Sequence, residues 1–184
     1  KRQLALSGTY KKQEMDILKA ATDWAKAELF STPFFILFGL AFIAASFGFW
    51  QLGKTEMARA YIIPTLVAGA LLTVIGLGLF FTNKSRIAQF ETDYRMDASA
   101  FVAAEMQRAE ATLKEYKNVV FTAIPIIIAV CACLILLIDQ PIWRASMITT
   151  IAMLVVILLI DGTAHARMDA YHQQLLSVEK EMNN

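Results

Sequence analysis

Residues 29–53 read LFSTPFFILFGLAFIAASFGFWQLG, 25 residues between Glu28 and Lys54 without a charge. An α-helix rises ~1.5 Å per residue, so roughly 20 residues cross a hydrocarbon core of ~30 Å. Three more charge-free runs follow: 24 residues between Arg59 and Lys84, 21 between Lys117 and Asp139, and 16 between Arg144 and Asp161. The last suffices when Trp143 and Arg144 sit at one interface and Asp161 near the other, the long arginine reaching outward. The pattern predicts an all-α, polytopic membrane protein: four transmembrane helices with helical cytoplasmic extensions that form a small bundle.

Composition agrees. Hydrophobic residues are 57% of the 184 and the mean hydropathy is +0.50, above the usual range of soluble domains. A net charge of +1 gives no bulk electrostatic hold on nucleic acid, so no such partner is expected. Cys131 and Cys133 are two positions apart within the third run, ~200° around a helix, and cannot bridge. They read as apolar fillers. The first run is too long for a signal-peptide core and reads as a retained span. The chain opens on Lys1 without methionine, so a short preceding piece is expected.

Lys and Arg sort between two sides. The segment before the first run, the connection 83–118 and the tail together hold 14 of the 17, whereas the two short loops hold Lys54, Arg59 and Arg144. The positive-inside rule puts both termini in the cytoplasm, with a bacterial inner (plasma) membrane as the expected setting and the lipid bilayer as the first partner.

Periodicity divides the chain further. Residues 1–30 hold an N-terminal amphipathic cytoplasmic helix, with Ser31-Thr32-Pro33 read as a cap and first-turn proline opening span one. A first two-span hairpin covers 31–82, with spans at about 33–52 and 61–82. Residues 83–118 contain neither Gly nor Pro and read as a cytoplasmic helical hairpin that breaks at Asp97 or Ser99. A second two-span hairpin covers 119–162, with spans at about 119–138 and 142–161, and Pro125 in the first turns of span three. Residues 163–184 continue span four as a C-terminal cytoplasmic helix. There Met168, Tyr171, Leu175, Val178 and Met182 recur at alternating spacings of 3 and 4, a short heptad seam.

Two sets of residues are candidates for function. Small side chains recur at helical spacing within the spans: Ala41, Ala45 and Gly48; Thr65, Gly69, Thr73 and Gly76; Ala145, Thr149 and Ala152. In lipid such stripes let backbones approach closely. With Leu113 and Tyr116 from the hairpin, and Met168, Leu175 and Met182 from the tail, they are candidate packing or interface positions. The second set is Asp161, His165, Asp169 and His172, at ~0°, ~40°, ~80° and ~20° on one helix face. Carboxylate and imidazole at that spacing suit a transition metal or a pH-sensitive site. A cage would need an acid from a neighbouring helix, with Glu91, Asp93, Glu105 and Glu110 as available donors.

No acid, base or amide lies at central membrane depth, which argues against an ion-coupled carrier. Nucleophile–base motifs and phosphate-cradling glycine loops are missing. The first reading is therefore a non-enzymatic membrane adaptor or accessory subunit. It would act through its cytoplasmic helices, as a homo-oligomer or with a membrane or cytoplasmic protein. An oligomeric channel or pore is the alternative, and a metal- or pH-responsive protein using His165 and His172 is the third.

Overall fold

The computed structural model describes the backbone of residues 2–182 and the side chains of residues 17–180. Among the described residues it is helical, with no strand. The helices are α1 (Arg2–Leu52), the short α2 (Glu56–Ala60), α3 (Ile62–Met96), α4 (Ala98–Glu115), a π-helical segment (Tyr116–Ala123), α5 (Ile124–Leu137) and α6 (Pro141–Met182). Among the described residues four helical stretches are long and apolar enough to cross a membrane. The chain is thus compatible with an integral membrane protein.

Helix α1 differs from the expectation at Ser31-Thr32-Pro33. It runs through these residues unbroken to Leu52. Pro33 has no N–H to give to the Leu29 carbonyl four residues back. The Thr32 hydroxyl donates to that carbonyl instead, at 2.9 Å, and Ser31 donates to Ala27 O at 3.1 Å. Residues that can cap a helix in water here turn inward, and they satisfy the carbonyl the proline leaves open.

The break at Asp97 falls where the spacing places it. Asp97 has an extended backbone (φ −157°, ψ 101°), and its carboxylate accepts from Ala100 N–H at 2.9 Å and from the Ser99 hydroxyl at 2.8 Å. These hydrogen bonds hold its pKa below the ordinary carboxylate value, the Ala100 N–H contributing most. A depressed folded pKa means that the cap's contribution is fully present above the unfolded pKa and is lost as pH falls through the folded one. Hydrogen exchange at Ala100, corrected for intrinsic rate, should therefore speed up in that acid window. In Asp97→Ala it should be fast throughout, with no such step. A step of equal size in both proteins would refute the assignment.

Beyond Glu115 the chain widens into the π-helical segment before continuing as α5, with Pro125 in the first turn of α5. Bonding five residues apart brings positions i and i+5 to one face, whereas in an α-helix they lie ~140° apart. The Thr122 hydroxyl reinforces the pattern by donating to Lys117 O, five residues back, at 2.7 Å.

Two packed regions result among the described residues. In the spans, Phe35, Leu72, Val156 and Ile160 join α1, α3 and α6. At the charged ends a larger core draws on α1 (Ile17, Ala21, Trp24, Ala25), α3 (Phe90), α4 (Phe101, Val102, Met106, Ala109) and α6 (Met168, Tyr171, Leu175). Helix α5 lies against α6 and leaves most of its apolar surface exposed, with only Ile124 buried.

Candidate functional site

The most extensive helix pairing is between α1 and α3, and glycines set its closeness. A Cβ added at Gly69 would stand 2.7 Å from Gly39 O; one added at Gly39 would stand 2.9 Å from Gly69 O. At Gly76 an added Cβ would meet the Cβ of Phe35 at 2.9 Å. Thr65 is buried beside them, and Thr73 turns its hydroxyl back to Gly69 O at 2.8 Å. Across the same seam Ser46 donates to Ile62 O at 2.7 Å. The stripe on α3 is therefore a packing face.

The stripe on α1 is not the surface that meets α3. That surface carries Phe35, Gly39 and Ser46. Ala41 is two positions beyond Gly39, ~200° around the helix. Ala41 and Ala45 are exposed, and a Cβ added at Gly48 would meet nothing within 4 Å. On α6, Ala145 and Thr149 are buried and Ala152 is exposed.

The tail seam is occupied within the chain. Leu175 is fully buried, Met168 and Tyr171 nearly so, and Leu113 and Tyr116 pack beside them. Met182 lies outside the described side chains. The seam thus closes on α1, α3 and α4 rather than presenting a free stripe.

The Asp/His strip keeps one face of α6 but meets different neighbours. His165 stands edge-on to Tyr116 (5.6 Å) and Phe121 (5.0 Å). These rings are five residues apart in the π-helical segment, whose widening lets both reach one imidazole. His172 Nε2 faces Glu110 Oε1 of α4 at 3.8 Å, beyond hydrogen-bonding distance. Asp169 is exposed, and Asp161 is half-buried without a described hydrogen bond or ion pair. Among the described residues no three His, Cys, Asp or Glu side chains converge as a metal-holding group.

What the four helices do bring together is a charged and aromatic network at the charged end of the spans. Trp24 of α1 stacks on Tyr171 of α6, with centroids 5.5 Å apart and planes at 14°. The Arg108 guanidinium of α4 lies 4.2 Å over the Trp24 ring. It is bound in bidentate fashion by the buried Glu105, with Arg108 Nε donating to Oε1 at 2.9 Å and Nη2 donating to Oε2. Tyr171 donates its hydroxyl to the same Oε2 at 2.9 Å. Burial, then the Glu105 charge and that hydrogen bond, push the Tyr171 pKa up.

A second link joins α6 to α1. Arg167 donates to Glu28 Oε1 at 3.0 Å and to Ser31 Oγ at 2.8 Å. Burial raises the Glu28 pKa, and Arg167 partly opposes it. On α3, Arg86 donates to Oδ1 of the buried Asn83 at 3.3 Å.

The network contains no nucleophile held by a base. Glu105 and Arg108 pair within α4, and Glu28 and Arg167 pair between α1 and α6, which suits positioning and binding rather than bond chemistry. Sequence reading singled out Tyr171 and Glu105 for other purposes and missed Trp24, Glu28, Asn83, Arg86 and Arg108. The legible signal was the acid–base pair Glu105 and Arg108, three apart on the apolar stripe of α4.

Comparison of the chain with family models, with curated proteins and with solved structures finds no match.

Proposed function

We propose that this is a non-enzymatic integral membrane accessory protein that works by assembling within the bilayer, with a second copy of itself or with another membrane protein. Both termini and the charged layer face the cytoplasm in this reading, in the setting of a bacterial plasma membrane. The partition of Lys and Arg supports that orientation.

The observation that carries the assembly is the contrast between the two sides of α1. One side is closed against α3 through Gly39. The other offers Ala41, Ala45 and Gly48 with open space around Gly48. In lipid, helix association rests on close van der Waals approach, which small side chains allow and bulky ones prevent. The tail seam, already filled by the chain's own helices, is not needed for this contact.

Single cysteines at Ala41 and Ala45, in a background with Cys131 and Cys133 replaced by serine, test it in native membranes. Both should form disulfide-linked dimers, or adducts with one partner. A cysteine at Leu66, exposed on α3, should not. Gly48→Leu should abolish the crosslink while leaving the fold intact. Equal crosslinking at all three positions, or at none, would count against the proposal.

A further inference from the structure

Between α1, α3, α4, the π-helical segment and α6, at the level where the charge-free runs end, lies a cavity of about 410 Å³. That falls within the usual range of small-ligand sites, roughly 300–1,000 Å³. One wall is apolar and belongs to the spans: Phe35, Ile75, Leu79 and Ile160. The other is charged: Glu28, Arg86, Arg108 and Asp161, with Glu115 exposed at its edge.

Two of the four wall charges are already matched. Arg108 is held by Glu105, and Glu28 by Arg167. Two are not. Among the described residues Arg86 has no carboxylate within 4.0 Å. Its described hydrogen bond goes to the neutral Asn83 amide, although a guanidinium carries five N–H donors. Burial and the neighbouring Arg108 press the Arg86 pKa down, with Glu105 opposing them. Asp161, half-buried on α6, has neither hydrogen bond nor ion pair among the described residues. A half-buried charge without a partner is costly. Two of opposite sign that line one cavity fit a ligand carrying the complementary pair, and the span-side wall requires that ligand to be an amphiphile.

We propose that the cavity binds a glycerophospholipid with a zwitterionic head: the phosphate on Arg86, the primary ammonium toward Asp161, and the first acyl segments against Phe35, Ile75 and Ile160. A phosphate takes two or more donors from one guanidinium. The ammonium supplies what Asp161 lacks. A lipid already at this depth of the bilayer brings its apolar part to the span side, which a soluble zwitterion could not do. The proposal stands independently of assembly through α1.

The test is lipid retention by the purified full chain, measured by native mass spectrometry in one detergent. Phosphatidylethanolamine and phosphatidylglycerol are supplied at equal mole fraction. The unmutated chain should retain phosphatidylethanolamine at least about tenfold better, the scale of one charge-assisted hydrogen bond. Arg86→Gln should lose both lipids. Asp161→Asn should lose the preference but keep phosphatidylglycerol. Arg95→Gln, exposed and paired with Glu91, should change nothing. Thr112→Phe, at the cavity wall, should block retention with both charges in place. Equal retention of the two lipids by the unmutated chain overturns the proposal, whether or not the variants fold. So does undiminished retention by folded Thr112→Phe. Displacement by soluble phosphoethanolamine at the lipid's own concentration would assign the site to a free headgroup instead.

Discussion

Gly69→Val should separate α1 from α3 and destabilise the protein by about 3 kcal/mol, the upper end of what overpacking commonly costs. The geometry leaves no soft route. An added Cβ at Gly69 would stand 2.7 Å from Gly39 O and 2.9 Å from Ile43 N, both backbone atoms, and 2.7 Å from Ile43 Cγ1. Only the last could swing away. The clash is reciprocal with Gly39, so these two residues mark the crossing point of the helices. Relief requires one whole helix to move, and that motion would also lengthen the hydrogen bond from Ser46 to Ile62 O. Gly69→Ala should be milder, because alanine regains about 1 kcal/mol of helix propensity.

Gly78→Ala is the matched control. A Cβ there meets nothing within 4 Å, so only the propensity gain remains and stability should rise by up to about 1 kcal/mol. Unfolding of the three variants in one detergent decides the matter. Gly69→Val behaving like Gly78→Ala would mean that α1 and α3 do not meet in this register.

The same helix pair shows what the sequence could and could not say. Charge-free length was enough to mark the spans, because a bilayer imposes a length and forbids unmatched charge. Asp97 was legible because a capping carboxylate followed by Ser99, between two apolar stripes, has one economical use in water. Ser31-Thr32-Pro33 was ambiguous for the opposite reason. The same hydroxyls that cap a helix can turn back to a carbonyl, and only the apolar surroundings select the second use. The tail seam was visible as a buried stripe, but its partner was not. Nothing in Met168, Tyr171 and Leu175 distinguishes a second copy from the chain's own α1 and α4. The stripes on α1 and α3 looked equivalent, and only the crossing at Gly39 tells which face α3 occupies. The charged network was least legible of all. Trp24, Glu105 and Tyr171 are far apart in sequence, and their meeting depends on how α1, α4 and α6 converge.

That network yields the other large effect. Glu105→Ala should cost about 3–5 kcal/mol, the range for removing one partner of a buried ion pair. Glu105 is 7% exposed, so water reaches little of what the substitution leaves behind. Arg108, with 18% of its side chain exposed, would keep its charge over Trp24 without a counter-ion. The Tyr171 hydroxyl would lose its acceptor. Tyr171→Phe removes only that hydroxyl and should cost less, about 1.5–3 kcal/mol for a hydrogen bond to a charged group. The discriminating variant is the double one, Glu105→Ala with Arg108→Ala. It leaves no stranded charge, so its loss should fall well short of the sum of the single losses, by 1 kcal/mol or more on the scale of coupled pairs. Additive losses in equilibrium unfolding would show that the two side chains do not share a buried pair. The register of α4 against α1 and α6, on which the cavity beside them depends, would then have to differ.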